Sequence, residues 1–268
     1  MIWKLLRYRR RYRRARQNSL FAKLLRAARW GFYGLMILVM VDAFYLTLTW
    51  PDWRKIISGP IPRSKFINDY ERTQRTDQSL PPLRWRPVPL TSIPGQVRRA
   101  VIVAEDIRFY EHGGFDLIAF KEAMDYNLSA HRFVLGASTI SQQTAKNLFL
   151  SSSRNPLRKW HELILTWGME HHLRKHRILE IYLNVAEFGR GIYGVEAASQ
   201  TYWHKPVSEL TLRQSAELAA SLPSPKKNNP ATRTQRFLRR TQKIMNFMRR
   251  FEQASIVFHK KRKRRARP

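Results

Sequence analysis

Residues 136–150 read GASTISQQTAKNLFL, and this stretch has the spacing of a short helix with one polar face. Thr139, Gln143 and Lys146 stand at i, i+4 and i+7, so a helix that begins near Thr139 presents all three side chains on one side. A hydroxyl, an amide and an ammonium group together suit a phosphate or a sugar. A solvated surface helix has the same spacing, so the pattern alone leaves both interpretations open.

A pair of carboxylates precedes this helix in the stretch EDIRFYEHGGFD, residues 105–116. Val97, Ala100, Val101 and Ala104 have helical spacing, which places Glu105 at the C-terminal end of an apolar helix. The negative end of the helix dipole raises the pKa of such a carboxyl, as a general acid or base near neutrality requires. A solvated helix end followed by a turn is the equally simple alternative.

A third charged stretch, RKWHE, follows at residues 158–162. Asn155 and Pro156 form a good helix start, and the helix is expected to continue to about Lys175. Arg158 and Glu162 are then one turn apart, which usually means a surface ion pair. The pair gains a functional meaning only if this helix faces Glu105.

The remaining pattern predicts a mainly α-helical protein in which strand-type alternation is scarce. Ser92 is a candidate cap for the helix before Glu105, and Asp116 for a helix with an apolar stripe. That stripe comprises Leu117, Phe120, Met124 and Leu128. Further helices are predicted at 177–185, 193–203, 212–221 and 232–252. Eight prolines between residues 51 and 94 favour an extended segment there.

Several short motifs are rejected because their context is wrong. Residues 189–194 match GxGxxG but follow a helical pattern, with no strand–helix–strand unit for a dinucleotide. His161 and Glu162 lack the second histidine of a zinc HExxH motif, and His171 and His172 point apart on a helix. The SxxK match that begins at Ser224 lies in a stretch rich in proline and asparagine. The chain has no cysteine, which excludes disulfides and cysteine chemistry. No metal site is predicted.

The 268 residues carry a formal net charge of +31, concentrated at the two ends. Residues 1–29 hold eleven Lys and Arg and no acid, and residues 231–268 hold fourteen Lys and Arg against one acid. Between them, the 21 residues 30–50 contain a single charge, Asp42. A helix of that length is about 31 Å long, enough for the hydrocarbon core of a bilayer. Trp30 and Trp50 mark its two ends, as in an aromatic belt.

Basic residues before a membrane span retain the N-terminus in the cytoplasm, so the residues after the span are expected in the periplasm. This orientation favours anionic lipid as the partner of the basic arm and argues against nucleic acid. The C-terminal run HKKRKRRARP, which starts at His259, is interpreted either as a second membrane contact or as a disordered tail.

Taken together, the motifs resemble the peptidoglycan glycosyltransferase family in its monofunctional form. The first family motif, EDxxFxxHxGxD, is matched from Glu105 to Asp116, and the second, GxSTxxQQxxKN, from Gly136 to Asn147. RKxxE is matched from Arg158 to Glu162, and KxxILExYLN from Lys175 to Asn184. The resemblance covers about residues 85–230 and is specific, because several long motifs occur in the expected order.

The resemblance implies a mainly α, lysozyme-like domain that polymerises lipid II into glycan strands, with inversion at MurNAc C1 and undecaprenyl diphosphate as leaving group. It implies two catalytic residues, Glu105 as the base and Glu162 as the second carboxylate. Substrate-binding residues implied by the match are Asp106, Phe109, His112, Ser138, Thr139, Gln143, Lys146, Asn147, Arg158 and Lys159. No cofactor is obligatory, although Mg²⁺ or Mn²⁺ could assist at the diphosphate.

The predicted organisation has five parts. These are a cytoplasmic basic arm (1–29), a transmembrane helix (30–50), a periplasmic linker (51–84), the glycosyltransferase domain (85–230) and a C-terminal helix with a basic tail (231–268). The expected location is the bacterial inner membrane, and the expected partners are lipid II, the growing glycan, anionic lipids and cell-wall synthesis proteins. A lysozyme-like hydrolase and a non-enzymatic basic membrane scaffold are the competing hypotheses.

Overall fold

The computed structural model describes residues 2–132, 136–153 and 155–265, with side chains for 21–132, 136–153 and 155–250. The chain divides into two compact units at Asp52 and Trp53. The helices are α1 Ile2–Leu48, α2 Trp53–Ser58, α3 Lys65–Thr76, α4 Gly95–Glu105, α5 Leu117–Ser129, α6 Ile140–Phe149, α7 Pro156–His172, α8 Lys175–Val185, α9 Val195–Trp203, α10 Leu212–Ser221 and α11 Gln235–Arg265. The strands are β1 Arg84–Trp85, β2 Glu187–Gly189 and β3 Ile192–Tyr193. The mainly α prediction is confirmed.

The first unit is the long helix α1. Within it lies Phe21–Leu48, a stretch of 28 residues whose most apolar 18-residue window has a mean hydropathy of 1.8 and is only 6% buried inside the protein. A helix of this length and composition can cross a membrane. The apolar segment expected at 30–50 is therefore helical, except for its last two residues. The side chains of residues 1–20, and those of the basic run from His259, lie outside the described part.

In the second unit, α6 and α8 form the centre of the core. Helix α6 packs against α7 and α8, and α10 packs against α4 and α11. Ile140, Ile178, Leu179 and Leu183 are fully buried between these helices. This core fixes the ends of α4 and α6, where Glu105 and Thr139 lie.

Local caps explain why most helices begin where the sequence predicts. Asp116 caps α5 by accepting from Ala119 N at 2.8 Å, and Asn155 caps α7 by accepting from Arg158 N at 2.6 Å. Thr139 begins α6 in a capping box with Gln142. The expected cap at Ser92 is wrong, because α4 begins after Pro94, with no side-chain cap.

The extended conformation predicted for residues 51–94 is wrong for two helical segments. Helices α2 and α3 both lie there, and Ser64 caps α3. The prolines flank these helices rather than interrupt them. Trp53 and Ile56 join the main core, while Ile67 and Tyr70 pack in a second cluster against Tyr193.

The small sheet has the order β1-β3-β2, with β1 parallel and β2 antiparallel to β3. It accounts for the glycines of the GxGxxG match, which lie in the hairpin between β2 and β3 and directly after it. Gly191 and Gly194 have φ angles of +74° and +83°, which glycine adopts without strain. A Cβ on Gly194 would lie 2.7 Å from Asn184 O, so the chain requires glycine there for close packing.

The apolar stripe predicted on α5 does not join the core. Leu117, Phe120, Met124 and Leu128 are 45–75% exposed, and Ala123 is the buried residue of this helix. Helix α7 likewise exposes Leu157, Trp160 and Trp167. Exposed apolar area of this extent is unusual for a surface that meets only water.

Candidate active site

Glu105 is the last residue of α4, and its side chain is only 10% exposed. Gln143 Nε2 on α6 donates to Glu105 Oε2 at 2.8 Å, and Arg240 Nη2 on α11 donates to Glu105 Oε1 at 2.8 Å. Arg240 also donates to Ala104 O at 2.9 Å, one residue before the carboxylate. Three helices therefore fix the orientation of this carboxylate.

Burial raises the pKa of Glu105, while the bonds from Gln143 and Arg240 and the charge of Lys146 oppose the increase. The predicted direction is therefore confirmed, although desolvation, rather than the helix dipole, is the main physical cause. A carboxylate with a raised pKa and fixed geometry can accept a proton near neutrality.

Tyr182 on α8 orients the amide that supports Glu105. Its hydroxyl donates to Gln143 Oε1 at 2.9 Å, which directs Gln143 Nε2 towards the carboxylate. Burial raises the pKa of Tyr182 well above its usual value, so the phenol remains protonated and continues to donate. Gln143, expected to bind substrate, thus uses both ends of its amide within the protein.

Lys146 lies one turn further along α6, half-buried between two acidic groups. Burial lowers its pKa, whereas the charges of Glu162 and Glu105 raise it. Its Nζ lies 6.0 Å from the centre of the Phe66 ring of α3. Lys146 is therefore electrostatically coupled to both carboxylates that the family resemblance assigns to catalysis.

Glu162 on α7 is 3% exposed and pairs with two cations. Arg158 Nη1 donates to its Oε2 at 2.6 Å, and Lys159 Nζ contacts its Oε1. Arg158 Nε is buried and has no hydrogen-bond partner within the described part of the chain. Helix α7 packs against α6, the helix whose Gln143 donates to Glu105, and the charges of Glu162 and Arg158 act on Lys146 of α6.

The loop between α4 and α5 is fastened to the start of α6. His112 Nε2 contacts Asp106 Oδ1 at 2.9 Å, and Asp106 Oδ2 accepts from Ile140 N at 3.0 Å. Thr139 Oγ1 donates to Gly114 O at 2.7 Å. Asp106, His112 and Thr139 were expected to bind substrate, yet these contacts give all three a structural task.

Replacing Thr139 with Val should mainly lower the stability of the fold, rather than the affinity for substrate. The variant loses both the cap to Gln142 N and the bond to Gly114 O. Loss of a helix cap costs about 0.5–2 kcal/mol, so the melting temperature should fall by several degrees. Ser138→Ala, at the exposed neighbouring position, is the matched control and should melt like the wild type. An unchanged melting temperature with a raised KM would instead make Thr139 a substrate-binding residue.

Phe109 and Asn147, two further substrate-binding candidates, are buried, as Asp106 and Thr139 are. Phe109 is 0% exposed in the core, with Lys175 Nζ 4.5 Å from its ring centre, so the expected substrate contact is not available. Asn147 is 8% exposed. Ser138 and Lys159, by contrast, line an open cavity of about 470 Å³ whose other walls are mostly apolar side chains of α5 and α7.

Asp106, His112 and Asp116 form the one cluster of potential metal ligands found among the described residues, with their ligand atoms within 4.8 Å of one another. These atoms already have protein partners. Arg108 binds both oxygens of Asp116 at 2.9 Å and holds the pKa of that carboxyl below its usual range. Because the Arg108 guanidinium group already pairs with Asp116, the cluster fits a structural hydrogen-bond network and does not fit a metal site.

The chain is similar to known proteins over most of its second unit. The family model described as Transglycosylase matches residues 74–249, about two thirds of the chain. The chain belongs to this transglycosylase family. A biosynthetic peptidoglycan transglycosylase of Chromobacterium violaceum is 41% identical over 196 residues, which cover 71% of this chain and 85% of that protein.

Two further relatives with the same name come from Ralstonia nicotianae and Burkholderia thailandensis. Each is 50% identical, over 143 and 145 residues respectively, which cover 53% and 54% of this chain. The matched region spans 60% and 57% of these two relatives' own length.

Two residues beside the site, Arg240 and Phe66, lie outside the motifs quoted from the sequence. Arg240 lies within the matched range, yet its partner Glu105 is 135 residues away in sequence. Arg240 lies beside a buried stripe on α11, formed by Phe237, Thr241 and Ile244. This stripe is the one local signal that Arg240 faces the protein. Phe66 lies before the matched range, so nothing in the family motifs indicates that it approaches Lys146.

Proposed function

We propose that this transglycosylase-family protein is a peptidoglycan glycosyltransferase that polymerises lipid II. The observation that carries the proposal is a pair of carboxylates almost shielded from solvent, Glu105 and Glu162. Arg240 pairs with Glu105, and Arg158 and Lys159 pair with Glu162. A glycosyl transfer with a diphosphate leaving group needs a base on one side and positive charge on the other. The names of the relatives support the same reaction class.

In the proposed reaction, Glu105 removes the proton from the GlcNAc 4-OH of the acceptor. The 4-oxygen forms a bond to MurNAc C1 of the donor as the bond from C1 to the phosphate oxygen breaks. The electron pair leaves with undecaprenyl diphosphate, and the α linkage becomes β because attack is in line. Lys146, Arg158 and Lys159 stabilise the charge that develops on the leaving group.

Glu162 acts on these cations rather than on the sugar. It holds Arg158 and Lys159 by direct ion pairs and raises the pKa of Lys146, which favours the charged ammonium form. We propose that no cofactor is obligatory, since protein cations supply the charge. Mg²⁺ or Mn²⁺, where present, would act on the diphosphate.

Incubation of the full chain with labelled lipid II tests this function directly. Lengthening glycan strands support the synthase, while shortening of preformed glycan would support the competing lysozyme-like hydrolase. Absence of both activities would favour a basic membrane scaffold. The hydrolase does not require Lys146 and Arg158 beside the carboxylates, so the observed cluster favours the synthase.

We propose that the apolar segment 30–50, which begins within the stretch Phe21–Leu48, anchors the protein in the bacterial inner membrane, with the N-terminal arm in the cytoplasm and the catalytic domain in the periplasm. The exposed apolar side chains of α5, including Leu117 and Phe120, support contact of this domain with lipid. Expected partners are lipid II, the growing strand, anionic lipids and cell-wall synthesis proteins, without nucleic acid.

A reporter fused after Pro268 should be active only in the periplasm, because the eleven cations before the span resist translocation. The matched control is the same reporter fused directly after Arg29, before the apolar segment, which should be active only in the cytoplasm. Cytoplasmic activity of the C-terminal fusion would overturn the proposed topology.

A further inference from the structure

A second cavity, of about 370 Å³ and lined by cations, lies between the end of α10 and the first half of α11. Arg236, Arg239, Arg240 and Lys243 line it together with Asn228, and no acidic side chain within the described part of the chain does. Residues 236, 239, 240 and 243 follow helical spacing, so one face of α11 presents all four cations. A concave surface lined by one sign of charge attracts a counter-ion.

Among the described residues, most of these cations have no ion-pair partner. Arg240 pairs with Glu105, but Arg236, Arg239 and Lys243 form no ion pair with any side chain that the structure describes. Arg240 Nε is buried and has no hydrogen-bond partner among those same residues. A buried donor without a partner is costly, and an oxyanion can supply the missing acceptor.

The chemistry of the cavity favours a phosphate group. Arginine guanidinium groups match phosphate oxygens in pairs, and a lysine adds a mobile point charge. A volume of about 370 Å³ lies within the usual range of small-molecule sites.

We propose that this α11 cavity binds the diphosphate of the acceptor lipid II, an assignment that rests on the proposed function. Polymerisation joins two molecules that each carry a diphosphate, so two anion sites are needed on different sides of the base. Glu105, the proposed base, lies between two such groups of cations. Its Oε2 faces Gln143 on α6, the helix of Lys146, and its Oε1 faces Arg240 of the cavity.

The shared arginine couples acceptor binding to the base. The charge of Arg240 lowers the pKa of Glu105 against the effect of burial. A diphosphate in the cavity offsets part of that charge, so Glu105 becomes a stronger base once the acceptor is bound. Arg240 thus acts as a positioning residue between the two sites.

The kinetic test uses the full chain with Arg239→Gln and Lys243→Gln combined, which leaves Arg240 and the donor-side cations intact. KM for lipid II should rise more than about tenfold, since each of the two lost charge-assisted contacts is worth about that factor, while kcat at saturation stays within about twofold. Arg249→Gln is the matched control, since Arg249 is exposed on the same helix but does not line the cavity. A KM equal to that of the wild type would overturn the acceptor assignment.

A binding test with inorganic pyrophosphate, at low ionic strength in detergent, separates the cavity from the reaction. Wild type should show two sites, one removed by the combined variant and the other by Lys146→Ala with Arg158→Ala. Loss of pyrophosphate binding with an unchanged KM would make the cavity a site for free phosphate and overturn the proposal. Unchanged binding in the combined variant would overturn it as well. Pyrophosphate binding in a wild type that never polymerises would instead contradict the proposed function.

Discussion

Glu105→Gln is expected to reduce the rate of lipid II polymerisation by roughly 10²–10⁴, the usual cost of losing a general base. The amide keeps the shape of the side chain and still accepts from Arg240, so lipid II binding should survive. Its NH₂ group meets Gln143 Nε2, donor against donor, which is expected to destabilise the fold by about 1 kcal/mol. Turnover and a melting curve are measured together, with Glu111→Gln, at an exposed position of the following loop, as the matched control.

The pH profile gives this prediction a second readout. Burial raises the pKa of Glu105, and a base must be deprotonated, so kcat/KM should increase with pH through a limb above the usual range of a glutamate. The limb should disappear in Glu105→Gln. Near-normal polymerisation by a folded Glu105→Gln protein would remove Glu105 from the mechanism.

Lys146→Ala should lower kcat by about 10²–10³, with a smaller change in KM, if Lys146 holds the charge that develops on the leaving diphosphate. Lys121→Ala, at an exposed position of α5, is the matched control and should leave turnover unchanged. Lys146→Arg should restore activity only in part, because a guanidinium group differs from an ammonium in shape and reach. Wild-type turnover by a folded Lys146→Ala protein would contradict the proposed role.

The lowered pKa of Lys146 also predicts how activity changes at alkaline pH. Burial lowers its pKa, and only the ammonium form carries the charge that is needed, so activity should fall as pH rises through that lowered value. In Lys146→Arg this limb should move to higher pH or vanish, since arginine stays charged. An alkaline limb identical in both proteins would mean that another group causes it.

The helices around the site were predictable because their signals are local. Asp116, Thr139 and Asn155 each cap the helix that the sequence assigns to them, and apolar spacing defines the buried face of α4. The small sheet was not predicted, since strands of two or three residues are too short to show alternation. Helix α3 was not predicted, because the prolines on either side of it favour extended chain.

The roles within the motifs were less predictable than their positions. A motif records that residues occur together and does not separate those that contact substrate from those that hold the loop in place. Thr139 and His112 make internal hydrogen bonds, and Phe109 is buried in the core. Arg240 was missed because its contact with Glu105 joins two helices far apart in sequence, which only tertiary packing brings together.

Helix α3 sets a practical limit on how the catalytic domain can be produced as a fragment. A fragment cut at the start of the family match, residue 74, would lose Phe66, Ile67 and Tyr70. It would therefore uncover Tyr193 and one wall beside Lys146, and lose the hydrogen bond from Tyr70 to Pro81 O at 2.7 Å. Such a fragment should be prone to aggregation and weakly active even with every motif residue present. A soluble version suited to inhibitor screening should instead begin at Trp53, where the second compact unit starts.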